Sequence, residues 1–498
     1  MESIGYLYLI EHYNLDVCEL LHKCYATDSS EKTIAVNDAS SSTYYPVSRY
    51  KIDRTWEGQI KFALKNEGVN LEVLKAFLSK IPQVELIAFI ESSMIGYYQR
   101  RVWFLYEFIF DDELPIPDLK MGNYIDVADD KLQLAVPRTC AVLSRRHRVR
   151  NNLIGNKGFC PFVRMTDAIS SCSGEMLKMQ AKELFQSYPA EILYRAVQYL
   201  YLKETKSSYA IEHETPDQRR MDAFVSMLTD VKSQPALDPE GLVKIQNEIV
   251  YDRYSHRKSF RAGQVYVGQT LAPGRERVHY VAPKPEDVPA IMSAWIEVAQ
   301  RMLATKCDPV VTAAVLSFAF VFIHPFDDGN GRIHRFLIHY FLACGDFTPE
   351  RIIFPVSATL LKDIVGYDRM LESFSLRLMR KIRYEMSEDC EISVLGDSVD
   401  WYRFIDFTFI VERFLKIVEQ TIKYEWAAEL NYLSSYDVTK SQMRAIVDMP
   451  DEDVNRMMRF VSQNKGRLGD EKRRKFFPRL SDEQVAAFEA IIRKYLVV

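Results

Sequence analysis

A mainly α-helical protein with one short β-hairpin is predicted by three features of the sequence. Residues 310–323 are apolar except for Thr312 and Ser317, a run too short to cross a bilayer and the right length for a buried helix ending at His324. Helical apolar spacing recurs on both sides of it, in Leu71–Leu78, Val102–Ile109, Ile333–Leu342 and from Asp400 to Tyr424. Arg261–Gln269 and Val278–Pro283 instead alternate apolar and polar residues around a turn containing Gly and Pro, which is the pattern of a hairpin.

With 498 residues, 48% of them hydrophobic and 27% charged, the chain is long enough for two to four domains at roughly 150 residues each. Residues 1–170 are expected to form a mostly helical domain. Within it Ser40–Thr43 reads as a loop, and the stretch 113–165, richer in Pro, Gly and Asn, reads as irregular with a short hairpin. Residues 171–395 carry the hairpin and the buried helix. Residues 396–498 read as a helical C-terminal domain with helices at Ser441–Val447 and Asp451–Gln463. Its last helix is announced by Ser481 as N-cap, followed by Asp482 and Glu483 in the first turn.

Lys and Arg number 64 against 68 Asp and Glu, so the net charge of −4 exerts no global pull toward nucleic acid or membrane. Two local basic stretches, Arg145–Arg150 and Lys472–Lys475, can dock a partner, pair with acids or simply be solvated. Eight cysteines without Cys-x-x-Cys spacing argue against a disulfide framework or a zinc site. The start, Met1–Tyr6, has neither a basic n-region nor a long apolar core, and a soluble cytoplasmic protein is expected.

The chemistry is concentrated in His324-Pro325-Phe326-Asp327-Asp328-Gly329-Asn330-Gly331-Arg332-Ile333-His334-Arg335. The loop leads into the Ile333–Leu342 helix, so it lies at a helix N-terminus, where the dipole and unpaired N–H groups favour phosphate. Gly329 and Gly331 lack a Cβ and let backbone N–H groups approach an anion. His324 is the side chain that can take a proton near neutral pH, and so the candidate general base. Asp328 is a hard oxygen ligand suited to Mg²⁺. Asn330 can donate to a phosphate oxygen without adding charge. Arg332 and Arg335, three apart on the opening turn, can clamp different phosphates. Phe326 reads as a buried wedge that fixes the loop.

The complete string resembles the signature of the Fic family, His-x-Phe-x-Asp/Glu-Gly-Asn-Gly-Arg-x-x-Arg, without a mismatch. The resemblance implies transfer of a nucleotide monophosphate, most often AMP from ATP with Mg²⁺, to a hydroxyl of a target protein. It implies a base at His324, a metal ligand at Asp328, an anion hole at Gly329, Asn330 and Gly331, and phosphate clamps at Arg332 and Arg335. In-line attack on the α-phosphorus would release pyrophosphate, with catalysis resting on positioning and charge neutralisation.

Other segments gain meaning from the same resemblance. The family core is an all-α bundle with one small hairpin, and that hairpin is a flap holding the target by strand pairing, here Val265, Tyr266, Val267 and Gly268. Tyr367, in Gly366–Leu371, is a candidate nucleotide contact, with core packing as the equal alternative. Lys206–Glu214 is similar to the family's inhibitory motif, Ser/Thr-x-x-x-Glu-Gly/Asn, with Ser208 and Glu212 in place and His213 where Gly or Asn is expected. The Glu212 carboxylate would occupy Arg335 and repel the γ-phosphate. In some relatives this Glu supports removal of AMP, so a bifunctional enzyme is an alternative. Relatives that transfer UMP, phosphate or phosphocholine leave the donor open. Many relatives carry a C-terminal winged-helix-like module, which keeps a nucleotide-sensing DNA-binding regulator as a reading of another class. Self-modification is expected, and the helical N-terminal domain suggests self-association or target choice.

Overall fold

A computed structural model describes residues 1–37, 39–234, 237–250, 257–272, 275–349 and 351–496. Its centre is the Pro309–Ile323 helix, nearly every residue of which is buried. A helix apolar on all faces must be enclosed on all faces. The helices Val288–Ala304, Asn330–Cys344 and Thr408–Gln420 do this. Its start is fixed by Pro309 at the first turn and by Asp308, whose carboxylate accepts from the N–H groups of Val310 (2.9 Å) and Val311 (3.2 Å). It stops at His324, which turns into the left-handed region at φ 52°. The sequence therefore delivers the loop from the end of a rigid, dry rod.

The predicted hairpin is Tyr266–Ala272 paired antiparallel with Arg275–Val281, Tyr266 opposite Val281, with a register shift between Val267 and Gly268. Its Gly/Pro turn at 273–274 lies outside the described residues. The returning strand is pinned to the core by Tyr280 Oη donating to the Phe322 carbonyl and by Tyr402 Oη donating to that of Val281 at 2.7 Å. A second hairpin, Arg383–Met386 with Ile392–Leu395, was not expected. Its two four-residue strands are too short to register as alternation.

The N-terminal part has its own core, built around Tyr6, Leu9, Leu74, Phe77 and Trp103. Helices Trp56–Asn66, Leu71–Leu78, Gln83–Glu91 and Tyr97–Phe110 surround it, as their spacing predicts. The expectation of a mostly helical region needs correction, because a four-stranded sheet lies beside these helices. Ser40–Thr43, read from its serines as a loop, runs into Ser41–Pro46, an inner strand of that sheet parallel to His22–Thr27. Tyr44 and Tyr45 favour the strand, and the hydroxyls of Ser41 and Thr43 are satisfied by the His22 ring at 2.7 and 3.2 Å. The short hairpin expected in 113–165 is Val142–Ser144 with Val149–Asn151. Arg145–Arg150 is largely spent inside the fold: Arg146 pairs with Glu107 (3.1 Å) and Asp118 (2.5 Å), and Arg150 with Asp126 (2.5 Å).

After a π-helical turn at Thr421–Trp426, four helices (Ala427–Ile446, Asp451–Gln463, Asp470–Phe476, Asp482–Leu496) close around Met443, Val454, Met457, Val461, Phe488 and Ile492. No strand follows Leu395 among the described residues, so this module is helical without a wing. Where a wing would need two strands, Lys465 and Gly466 turn at positive φ and Arg493 Nη1 holds the Gly466 carbonyl at 3.0 Å. The Ala190–Ile211 helix links this module to the centre. Tyr188 just ahead of it reaches Asn431 (2.6 Å), Arg195 pairs with Asp437 (2.7 Å) and Lys203 with Glu425 (2.6 Å). No helix among the described residues is long and apolar enough to cross a membrane.

Candidate active site

His324, Asp328 and the two arginines meet where the central helix ends and the Asn330–Cys344 helix begins. The His324 N–H still bonds the Phe320 carbonyl at 2.9 Å, while its left-handed backbone throws the chain away from the helix axis. Ring Nδ1 lies 3.1 Å from the Val321 carbonyl, an acceptor only, so Nδ1 carries the proton and the Nε2 lone pair is left for a substrate. Burial pushes the imidazole pKa down from 6.5 to about 4, which keeps it neutral.

The loop between the helices is held by a side chain to which the sequence gives another task. Asn330 Oδ1 accepts from the Phe326 N–H at 3.0 Å and its Nδ2 donates to the Phe326 carbonyl at 2.7 Å. The amide thus braces the loop across Phe326 with one of its two Nδ2 hydrogens, and the Asn330 backbone N–H lies in the first helical turn. Phe326 is the wedge expected, 1% exposed between Phe260 and Phe320. Gly329 is the N-cap at φ 83° and its N–H meets Asp328 Oδ1 at 2.7 Å. At Gly331 a Cβ would stand 2.4 Å from Glu212 Oε1, so glycine is required for the approach of that carboxylate.

Both arginines are buried and engaged. Arg335 Nε donates to Ser208 Oγ (2.7 Å), and its Nη2 donates to the Ser208 carbonyl (2.9 Å) and to Glu212 Oε1 (2.5 Å). Arg332 Nε forms an ion pair with Glu212 Oε2 at 3.0 Å, and its Nη2 donates to Asp328 Oδ1 at 3.1 Å. Burial alone would lower the Arg332 pKa, but Glu212, Asp328 and Glu214 together raise it. Glu212 caps the Ala190–Ile211 helix, and His213 follows in the left-handed region at φ 58°. Gly or Asn suits that conformation best, which gives the physical meaning of the motif position where this chain departs.

Tyr367 is buried with its hydroxyl against Arg335, and its ring faces His334 and Phe318. Its ring is packed in the core beside the arginine of the phosphate loop. Val265 and Tyr266 sit at the seat of the hairpin, Val267 is 46% exposed, and the strand's outer edge has no partner among the described residues. Asp328, with 61% of its side chain exposed, meets Arg332 and the Gly329 N–H through Oδ1. No group of three or more His, Cys, Asp or Glu among the described residues could hold a metal alone.

Three participants escaped the sequence reading. Glu214 stands 3.7 Å from Arg332 Nη1. Glu204, fully buried two turns before Glu212, accepts from His339 Nε2 (2.8 Å), the Ser357 N–H (2.8 Å) and the Ser357 hydroxyl. Arg261 lies at the root of the hairpin against His324. Their spacing gives no local signal, because each partner is remote in sequence.

Residues 236–342 match the model of the Fic/DOC family. Curated proteins described as "Protein adenylyltransferase Fic" are similar to part of the chain. That of Culex quinquefasciatus is 37% identical over 93 residues, and that of Drosophila willistoni 33% identical over 90. Each alignment takes in 18% of this chain and 16% of the relative, so this chain spans about a sixth of the curated relatives it matches. Among solved structures, a Fic family protein from Desulfovibrio desulfuricans G20 is similar over 66% of this chain and 85% of its own, with 17% identity and a TM-score of 0.38.

Proposed function

From the match of residues 236–342 to the Fic/DOC family and the geometry of the phosphate loop, we propose that the protein is a protein adenylyltransferase held off by Glu212. It moves AMP from ATP to a side-chain hydroxyl of another protein. The observation that carries this reading is the single Glu212 carboxylate bridging both buried arginines of the phosphate loop, 2.5 Å from Arg335 and 3.0 Å from Arg332. Two buried guanidiniums beside a helix N-terminus form an anion site, and a carboxylate from another helix occupies it.

With Glu212 withdrawn, Arg335 would take the γ-phosphate and Arg332 the neighbouring phosphate, while the N–H groups of Gly329, Asn330 and Gly331 line the anion hole. Asp328 would hold Mg²⁺ carried by the nucleotide, since its exposed carboxylate is a hard ligand whose shell phosphate oxygens and water can complete. The ion supplies charge neutralisation on the phosphates. His324 Nε2 would accept the proton of the target hydroxyl as its oxygen bonds to the α-phosphorus and the bond to pyrophosphate breaks. The open edge at Val265–Gly268 would hold the target segment as an added strand.

Label transfer from α-phosphate-labelled ATP with Mg²⁺, into the protein itself and into a cell lysate, tests the reading. Glu212→Gly is expected to raise transfer by roughly 5–150-fold, the factor that corresponds to about 1–3 kcal/mol of regulatory free energy. A rate that stays level or drops removes the inhibitory role.

A further inference from the structure

Arg261 is 4% exposed, and among the described residues no carboxylate forms an ion pair with it. A buried cation without a counter-ion is costly, so what compensates it matters. Nε donates to the His324 carbonyl at 2.8 Å, Nη1 to that of Gly263 at 2.8 Å and Nη2 to that of Pro283 at 2.5 Å. Its backbone N–H donates to the Pro325 carbonyl at 2.9 Å. One planar fork thus ties together the residues just before the hairpin, those just after it, and the backbone of the base.

A brace for the hairpin alone would need only Gly263 and Pro283. The third bond, and the one from the main chain, grip two consecutive carbonyls at a residue whose left-handed backbone a β-carbon disfavours. Those torsions fix where the imidazole points. Resting on the adenylyltransferase reading, we infer that Arg261 is a positioning residue for transfer, through which the seat of the target-docking hairpin and the backbone of His324 are held as one piece. Only a guanidinium can reach three carbonyls in one plane, so charge alone does not replace it.

The test uses the full chain carrying Glu212→Gly, with Arg261→Gln and Arg261→Lys added separately. Transfer to protein, hydrolysis of ATP to AMP and pyrophosphate, ATP affinity and thermal melting are all followed. Arg261→Gln is expected to lower kcat for transfer and hydrolysis alike by about 10²-fold, the cost of an ångström-scale misplacement. ATP affinity stays within about two-fold, because Arg261 touches none of the phosphate-binding groups. Arg261→Lys is expected to lose activity likewise despite keeping the charge, and it carries the test should the Gln variant fail to melt cooperatively. Parental kcat in the Lys variant overturns the inference. So does a loss of transfer with hydrolysis intact, which would make Arg261 a brace of the hairpin only. No label with Glu212→Gly by itself would count against the transferase reading instead.

Discussion

His324 illustrates how much of the site is set by a single residue's backbone. Its φ of 52° ends the central helix, frees its carbonyl for Arg261 and turns the ring so that Nδ1 faces Val321. His324→Ala is expected to cut transfer by about 10²–10⁴-fold, the usual worth of a general base, while ATP binding persists. Equilibrium binding of labelled ATP in a Glu212→Gly background checks this, and loss of binding would contradict the base role. This residue was legible in the sequence because its partners in chemistry lie within one contiguous string. Asn330 was legible as an amide but not in its direction, since nothing local says that Phe326 will claim both its ends. Arg261 was silent: it binds carbonyls, which every residue has, and its contact with His324 spans 63 residues.

At the scale of elements, the Ala190–Ile211 and Asn330–Cys344 helices face each other through polar residues at four-residue intervals. Glu204 meets His339, Ser208 meets Arg335, and Glu212 meets Arg335 and Arg332. One turn of helix separates each contact from the next, so the contacts share a register and fix it. Glu204 is the deepest of them. Glu204→Ala would strand His339 and the Ser357 N–H without partners, at a cost of roughly 3–5 kcal/mol for breaking a buried polar network. Denaturant unfolding measures this, and a change below about 1 kcal/mol would mean that the network adds nothing. Helix periodicity exposed both helices in the sequence. It could not pair them, because Glu204 and His339 are 135 residues apart. The inner strand Ser41–Pro46 was hidden for a related reason: its serines look solvated until the His22 ring is placed beside them.

Across the whole molecule the cores are separable. The C-terminal helices close around Phe488, which is fully buried in its own cluster. Phe488→Ala is expected to cost that module about 3–5 kcal/mol. Label transfer by Glu212→Gly should survive the change, and its loss would show that the module supports the site. Acid acts on the entire fold. Burial lowers the pKa of His22 and His334 from 6.5 to about 3 and of His147 and His324 to about 4. Each is neutral when folded and gains a proton on unfolding between that value and 6.5, so acidification through this window destabilises. Glu67 and Glu72, raised by burial from 4.5 to about 7, are protonated when folded and act in the opposite sense between 4.5 and 7. Among the groups with the largest shifts the four histidines outweigh Glu67 and Glu72, and the melting temperature is expected to fall between pH 6.5 and pH 5. A level or rising profile would contradict the assignment.

The Ala190–Ile211 helix joins these scales. Its 22 residues make a rod about 33 Å long, attached near one end to the C-terminal helices through Arg195 and Asp437 and ending at Glu212. A tilt of roughly two degrees about its far end would sweep the tip by about 1 Å. The tip contact is 2.5 Å long, so such a sweep at Glu212 would be enough to part the carboxylate from Arg335.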